Sequence, residues 1–188
     1  MKFLKSQWSN ILFLLIIVLL FIPATRKPLQ VQLNRIISFS PSTIPETERK
    51  QLLDYNWRLK DLEGNISNLK KAQGKVAVIN IWATWCPPCI AEMPSFQKIV
   101  DSYGDRVQFF FVSSEEQEKL DSFMKKKGYN LPVYQPLSQP AQILKAESLP
   151  TTYVLSSEGE VIVAKTGAAD WNSKEFRQLL EELLQEEL

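Results

Sequence analysis

In the larger, C-terminal part of the chain, continuous apolar runs alternate with segments in which apolar side chains recur at helical spacing. The run 76–83 is apolar on both faces apart from Asn80, and the run 107–112 is apolar apart from Gln108, as is typical of central strands buried on both sides of a sheet. Helices are predicted directly after these runs, over 87–103 and 115–127. The alternation predicts an α/β domain with a central sheet flanked by helices.

The remaining elements of this domain are short, and turn residues and apolar spacing predict them. They are an opening hairpin around 63–65, a helical turn over 68–72, a strand over 131–134, a helical turn over 141–145, an antiparallel pair formed by 151–155 and 161–165, and a closing helix over 171–184. We assign residues 52–188 to the domain. Residues 25–51, with proline and serine at their centre, are predicted to be a linker, and 30–37 within them is compatible with a strand.

The N-terminal residues form the longest apolar run of the chain. As a helix, Ile11 to Ile22 covers about 18 Å, and Trp8 to Ala24 covers about 25 Å, against a hydrocarbon core of about 30 Å. A cleaved signal peptide is the alternative, but Pro23 and the basic pair that follows it disfavour efficient cleavage. We therefore predict an uncleaved signal anchor or transmembrane helix over residues 1–24, with the domain on the extracytoplasmic side.

Composition narrows the possible partners. Twenty-two basic and 21 acidic side chains give a net charge of +1, which provides no electrostatic basis for binding nucleic acid. Cys86 and Cys89 are the only two cysteines, so no spare thiol can mispair, as suits an oxidising compartment. Histidine is absent from the chain, and a four-ligand zinc site would need two further cysteines or histidines. No metal site is predicted.

The two cysteines stand in the pattern Cys86-Pro87-Pro88-Cys89, directly after a buried strand and at the start of a helix. At positions i and i+3 of one helical turn the sulfurs lie on the same face, close enough to cycle between dithiol and disulfide. A structural disulfide, a metal clip and two unrelated core thiols are the alternatives. A bridge closing so short a loop constrains the unfolded chain little, so redox chemistry is favoured.

Two segments resemble the TlpA/ResA-like thiol-disulfide oxidoreductases of the thioredoxin superfamily. One runs from Val78 to Pro94 as Val-Ile-Asn-Ile-Trp-Ala-Thr-Trp-Cys-Pro-Pro-Cys-Ile-Ala-Glu-Met-Pro, and the other from Leu149 to Leu155 as Leu-Pro-Thr-Thr-Tyr-Val-Leu. The resemblance spans about 52–188. It implies a thioredoxin-like fold, a central mixed sheet flanked by helices, with an N-terminal hairpin extension, and we expect the membrane anchor to precede it.

The positions of the two cysteines at the helix start predict separate roles for them. Cys86, at the helix N-terminus, is expected to expose its sulfur and attack as a thiolate, favoured by the helix dipole. Cys89, one turn further in, would resolve the mixed disulfide. Pro87 and Pro88 remove two N–H donors that could have stabilised the Cys86 thiolate, which predicts a pair nearer the reducing end of the superfamily range.

Two polar residues accompany the pair. Asn80 occupies the strand position where thioredoxins carry a buried aspartate, and an amide cannot act as a base, so we interpret it as structural, paired with backbone. Glu92 lies three residues after Cys89, on the same helical face. Taken alone it resembles a solvated helix glutamate. ResA-like proteins carry an active-site glutamate at the matching position, which implies proton transfer or tuning of the thiol pKa.

The second segment supplies the expected substrate contacts. In the superfamily the proline that opens this strand, here Pro150, is cis and faces the cysteine pair, so Leu149 would offer its backbone to a substrate segment. Trp85 is the expected aromatic substrate contact, whereas Trp82 is expected in the core. Residues 145–149 lack the glycines of the cytochrome c maturation branch, so that branch's substrate is not carried over.

These observations predict an extracytoplasmic, membrane-tethered enzyme that reduces disulfides in exported proteins. It would take electrons from a membrane thiol donor and need no cofactor beyond the redox-active Cys86–Cys89 disulfide. A disulfide oxidase or isomerase is the first alternative, since it differs in potential rather than in residues. A dithiol copper metallochaperone is less favoured, because such relatives usually add a histidine. A peroxidase is disfavoured because its typical threonine-to-cysteine motif is missing.

Overall fold

A computed structural model of the chain describes residues 8, 10–14 and 22–186. The α-helices and strands whose bounds the structure describes are numbered in chain order. The helices are α1 Pro23–Ile37, α2 Pro87–Tyr103, α3 Gln117–Lys127 and α4 Lys174–Gln185. The strands are β1 Arg58–Asp61, β2 Ile66–Asn68, β3 Ala77–Ile81, β4 Gln108–Val112, β5 Val133–Pro136, β6 Thr151–Leu155 and β7 Val161–Thr166. Short 3₁₀ turns occupy Glu46–Glu48, Leu69–Ala72 and Gln142–Leu144.

The strands form one mixed sheet in the order β2-β1-β5-β4-β3-β6-β7. The central β3, β4 and β5 run parallel, whereas β6 and β7 on one side and β1 and β2 on the other pair antiparallel. Parallel neighbours need crossover connections, and α2 and α3 supply them. The predicted mixed α/β sheet of the thioredoxin-like fold is confirmed, including the hairpin of β1 and β2.

Two apolar layers cover opposite sides of this sheet. The layer that includes α2 and α4 contains Phe96, which stacks on Trp171 with ring centroids 5.0 Å apart and meets Phe111 edge-on at 4.9 Å. Burying a side chain of this size stabilises the fold by about 1.5–3 kcal/mol. Both cysteines belong to this layer, so the packing that stabilises the domain also holds the redox pair in place.

The closing helix begins later than predicted. Trp171 lies before the first turn, and α4 starts at Lys174 because Ser173 is its N-cap. The Ser173 hydroxyl accepts a 3.2 Å hydrogen bond from the backbone N–H of Phe176, which satisfies one free donor of the first turn. This leaves the indole of Trp171 outside the helix, directed into the core.

The segment predicted as a linker contains the helix α1, which packs against α2. The strand expected over 30–37 is therefore wrong. Between Gln30 and Asn34 polar and apolar residues alternate, which imitates a strand, but the leucines and isoleucines of α1 recur at helical spacing.

The end of the same segment is hydrogen-bonded to the domain. The backbone N–H of Ile44 donates to the carbonyl of Ile162 at 2.8 Å, and that of Leu52 donates to Gly159 at 2.8 Å. A bridge between Gln51 and Glu160 lies between these two contacts. The residues just before the predicted domain boundary are thus bonded to the edge of the sheet.

The predicted anchor, residues 1–24, lies largely outside the described residues. Positions 10–14 are helical, with exposed side chains. In the part of the chain that the structure describes, no helix has both the length and the apolar character needed to cross a membrane.

Candidate active site

The cysteine pair lies at the N-terminus of α2, beyond the end of β3. Cys86 is the N-cap residue, and Pro87 and Pro88 occupy the first two helical positions. Proline is accommodated there because its missing N–H would have had no partner within the helix. A disulfide joins Cys86 to Cys89, with the Cα atoms 5.3 Å apart. The structure therefore represents the oxidised form of the pair.

One backbone donor of the first turn reaches the outer sulfur. The N–H of Cys89 donates to Sγ of Cys86 at 3.3 Å. Pro87 and Pro88 have no N–H to contribute. In the described contacts the Cys86 sulfur thus receives a single backbone hydrogen bond, where a helix start without prolines offers more.

Exposure at the site differs from the prediction. Cys86, expected at the surface, is only 3 % exposed, and Cys89 is fully buried. The expectation of an exposed Cys86 is wrong for the oxidised form, because both cysteines pack in the apolar layer between α2 and the sheet. Trp85, directly before Cys86, is 55 % exposed, whereas Trp82 is buried in the same layer.

The loop before β6 lies against the same layer. The Leu149–Pro150 peptide bond is cis, and Leu149 packs, partly buried, against the apolar layer that contains both cysteines. The carbonyl of Pro150 accepts a 2.9 Å hydrogen bond from the N–H of Gly167, and the Thr151 hydroxyl donates to the carbonyl of Ser148 at 2.8 Å. In the described hydrogen bonds, neither the N–H nor the C=O of Leu149 has a partner.

Glu92 is buried, with only 2 % of its surface exposed, although a glutamate on a helix is usually solvated. Its Oε1 accepts from Nδ2 of Asn80 at 2.8 Å, and its Oε2 accepts from Nε1 of Trp171 at 2.8 Å and from the N–H of Ala169 at 3.4 Å. Donors from β3 and from the loop between β7 and α4 therefore fix the carboxyl one helical turn beyond Cys89.

Burial raises the pKa of the Glu92 carboxyl to about 8, although hydrogen bonds from Trp171 and Asn80 and the charge of Lys165 act in the opposite direction. A carboxyl with this pKa is largely protonated at pH 7 and can both give and take a proton near neutral pH. Thiols ordinarily titrate at about 8.5, so the proton affinities of the two groups match. In the described hydrogen bonds the carboxyl contacts neither sulfur of the oxidised pair.

Asn80 does not bond to backbone as we predicted. Its amide nitrogen donates to Glu92 and, at 2.9 Å, to the Thr152 hydroxyl, while its Oδ1 is buried without a partner in the described contacts. The difference follows from strand register, because Asn80 and Thr152 lie opposite each other in the antiparallel pair of β3 and β6. An amide carries both donor and acceptor, so it can bond the carboxyl in either protonation state.

The sequence interpretation missed Trp171, Thr152 and Ala169, which surround Glu92 or Asn80. The one available signal was that a buried tryptophan usually finds an acceptor for its indole N–H. Nothing in the sequence indicated which acceptor, since Trp171 lies 79 residues from Glu92.

Glu115 was also missed. It fixes the segment before Cys86 by accepting from the N–H of Thr84 at 2.6 Å and from its hydroxyl at 2.9 Å. Burial favours the neutral form of Glu115, but bonds from Lys119 and Thr84 outweigh burial and lower its pKa. A charged carboxylate thus holds the turn that carries the redox motif.

Over residues 8, 10–14 and 22–186, no group of three or more His, Cys, Asp or Glu side chains could hold a metal ion. The chemistry that the site supports is transfer of two electrons between one cysteine pair and an external thiol or disulfide.

Comparison with known proteins agrees with this chemistry. A model of the AhpC/TSA family matches residues 53–164. The thioredoxin-like protein YneN of Bacillus subtilis is 31 % identical over 152 residues, which cover 79 % of this chain and 87 % of YneN. The thiol-disulfide oxidoreductase ResA of Halalkalibacterium halodurans is 30 % identical over 131 residues, covering 66 % of this chain and 73 % of ResA.

Solved structures show the same fold. StoA from Bacillus subtilis superimposes with a TM-score of 0.53 at 25 % identity, covering 70 % of this chain and 98 % of StoA. A DsbF homologue from Corynebacterium diphtheriae gives a TM-score of 0.59 at 21 % identity, covering 79 % of this chain and 93 % of the homologue. The chain belongs to the AhpC/TSA family and is a thiol-disulfide oxidoreductase similar to ResA, StoA and YneN.

Proposed function

We propose that this oxidoreductase works as a reductase, transferring electrons from a membrane thiol donor to disulfides in exported proteins. The reducing direction of electron transfer is supported by the start of α2. There Pro87 and Pro88 have no N–H, so only the N–H of Cys89 bonds to the Cys86 sulfur. A thiolate with fewer donors is less stabilised, the dithiol is less favoured over the disulfide, and the pair becomes more reducing.

The proposed cycle begins with the reduced pair. The Cys86 thiolate attacks one sulfur of a client disulfide, which breaks the client S–S bond, forms a mixed disulfide and releases the other client sulfur as a thiolate that takes up a proton. Cys89 then loses its proton to Glu92 and attacks Sγ of Cys86. The second client thiol leaves, protonated from Glu92 or solvent, and the Cys86–Cys89 disulfide remains.

Client binding is proposed at the loop before β6. The unpaired backbone N–H and C=O of Leu149 support it, because an extended client segment can add to them by strand-like pairing. Cis Pro150 keeps this loop beside the layer that contains the cysteines, and the exposed indole of Trp85 offers an apolar surface on the other flank.

The extracytoplasmic location and the N-terminal tether belong to this proposal. Their support is the apolar run 11–22 and a cysteine content limited to one redox pair. In cells, we expect the full chain to stay in the membrane fraction during carbonate extraction. We also expect protease added from outside to digest its domain. Release by carbonate, or protection from external protease, would contradict the location.

The reduction potential of the cysteine pair tests whether the protein works as a reductase. Detergent-solubilised full chain is equilibrated with glutathione mixtures, and the fraction of oxidised pair is read from alkylated products. We expect a reduction potential nearer that of thioredoxin, about −270 mV, than that of DsbA, about −120 mV. A potential above about −180 mV, that of protein disulfide isomerase, would overturn the reductase proposal and favour an oxidase or isomerase.

A further inference from the structure

Helix α1 packs against α2 with the more polar of its two faces. Gln30, Val31 and Asn34 are half-buried on the side towards the domain. Outside this contact face, α1 carries an apolar stripe of four aliphatic side chains that are 53–79 % exposed, namely Leu29, Leu33, Ile36 and Ile37. Their spacing of four, three and one residues places them on one helical face. A helix on a globular domain normally turns its apolar face inward, whereas in the part of the chain that the structure describes nothing covers this stripe.

The charge of this segment is entirely positive. Arg26, Lys27 and Arg35 belong to α1, and the first acidic residue of the whole chain is Glu46. In the described part of the chain, none of these three cations forms an ion pair. A helix with an apolar stripe and unpaired cations has the composition of a helix that binds an anionic interface.

We propose that the apolar stripe of α1 lies in the headgroup region of an anionic lipid membrane, an inference that rests on the membrane attachment proposed above. Continuity of the chain favours lipid, because α1 begins directly after the apolar run 11–22. A second copy of the chain is a poorer partner. Two-fold pairing of identical helices would bring Arg26 and Lys27 close to the partner's basic residues, whereas anionic headgroups neutralise them.

The proposal also orients the redox site. Arg26, Gln30, Leu33 and Asn34 line a cavity of about 460 Å³ together with Pro87 and Pro88, so Leu33 of the stripe also borders the redox motif. With its stripe in the headgroups, α1 separates the cysteine pair from the lipid by roughly one helix diameter, about 10 Å. The Cys86–Cys89 pair would then lie within reach of a thiol donor that is itself embedded in the membrane.

The test uses full-length chain in which Cys86 and Cys89 are replaced by serine, so that one new cysteine can carry the environment-sensitive dye NBD. The dye is placed in turn through Leu29→Cys, Leu33→Cys and Ile36→Cys, and each protein is reconstituted into vesicles of phosphatidylcholine with phosphatidylglycerol. Leu53→Cys is the matched control, because Leu53 is an exposed leucine, 85 % accessible, outside α1 and next to Leu52, whose N–H bonds to Gly159 of the domain.

We expect the three α1 positions to brighten several-fold in anionic vesicles and to be quenched by lipids that carry a quencher near the headgroup. The signal at Leu53 should match that in water. Neutralising Arg26 or Lys27 to glutamine should lower the affinity of α1 for the bilayer surface about fivefold each. The Leu33→Ser/Ile36→Ser double variant should lower the fluorescence of the dye at position 29, whereas Leu53→Ser should leave that fluorescence unchanged.

Each other outcome overturns a separate statement. If the protein binds vesicles but the dye at position 33 fluoresces no more than the dye at position 53, the inference about α1 is wrong and membrane attachment is unaffected. Protein that does not sediment with vesicles overturns the attachment and the inference together. Dye that brightens without lipid, in proportion to protein concentration, overturns the lipid assignment in favour of self-association.

Discussion

The indole N–H of Trp171 donates a 2.8 Å hydrogen bond to Oε2 of Glu92, and the two residues are 79 positions apart in the chain. The bond joins the loop before α4 to the helix that carries the redox pair. With Asn80 on the other carboxyl oxygen, it holds a buried acid in one orientation close to Cys89. Removing one of these contacts should change proton chemistry as well as stability.

Trp171→Phe should raise the pKa of Glu92 further above its value of about 8, because the ionised carboxylate loses a donor while burial remains. The loss of the hydrogen bond should also destabilise the fold by about 1–2 kcal/mol. Carboxyl carbon NMR titration of the oxidised protein measures the pKa. Trp82→Phe is the control, because the Trp82 indole N–H is buried without a partner in the described contacts. An unchanged Glu92 titration in Trp171→Phe would contradict this prediction.

The stability of the oxidised protein should fall as pH rises towards 8. The pKa of Glu92 is about 8 in the folded chain and near 4.5 in the unfolded chain, so between these values only the folded state retains the proton. Protonation therefore favours folding below this window, and the contribution is lost as pH passes through the folded pKa. It is on the order of 5 kcal/mol, since each tenfold change in proton affinity corresponds to about 1.4 kcal/mol.

Urea unfolding at several pH values checks this linkage. Glu92→Gln should flatten the decline in unfolding free energy across the window, whatever its stability at one pH. Glu118→Gln, at an exposed position of α3, should keep the decline of the parent protein. Equal pH dependence in Glu92→Gln and the parent would show that the carboxyl does not titrate in this range.

Glu92→Gln should also slow disulfide exchange, by about 10²-fold at the lower end of the range for general acid–base catalysis, because Cys89 loses its proton acceptor. Above pH 8 the parent carboxylate carries a charge that opposes a neighbouring thiolate, so the variant should have lower thiol pKa values. Thiolate absorbance and the rate of client reduction are measured against pH. Superimposable curves and rates would leave Glu92 a purely structural role.

Replacing the prolines of the motif should make the pair more oxidising. Pro87→Ala and Pro88→Ala each restore an N–H near the Cys86 sulfur, and each should raise the reduction potential by about 30 mV, which corresponds to about 1.4 kcal/mol. Equilibration with glutathione gives the potential. Pro94→Ala removes a proline further along the same helix and should leave the potential unchanged. Equal shifts of the reduction potential in all three variants would show that the change comes from helix stability and not from stabilisation of the Cys86 thiolate.

Cys86 should be the attacking thiol, although the oxidised form buries it. Reduction separates the sulfurs, and only Cys86 lies at the helix N-terminus, where free N–H groups and the dipole favour a thiolate. Limiting iodoacetamide should therefore label Cys86 first, as peptide mapping would show. Cys89→Ser should accumulate mixed disulfides with clients and Cys86→Ser none. Preferential labelling of Cys89 would reverse the roles.

The redox chemistry and most of the fold could be predicted from the amino-acid sequence, because both depend on local patterns. The spacing of Cys86 and Cys89 across one helical turn is a property of four consecutive residues. The buried strands are equally local, since a run apolar on both faces can lie only in the interior of the sheet, and β6 begins and ends where predicted.

The environment of those residues depends instead on contacts between distant parts of the chain. Glu92 is spaced like a solvated helix residue, and its burial depends on Asn80, 12 residues away, and Trp171, 79 residues away, which only the folded chain brings together. Burial of Cys86 likewise depends on packing across the sheet. Between Leu29 and Ile37 of α1, polar and apolar residues partly alternate as in a strand, while the leucines and isoleucines recur at helical spacing. Local periodicity could not separate helix from strand there, and packing against α2 resolved it.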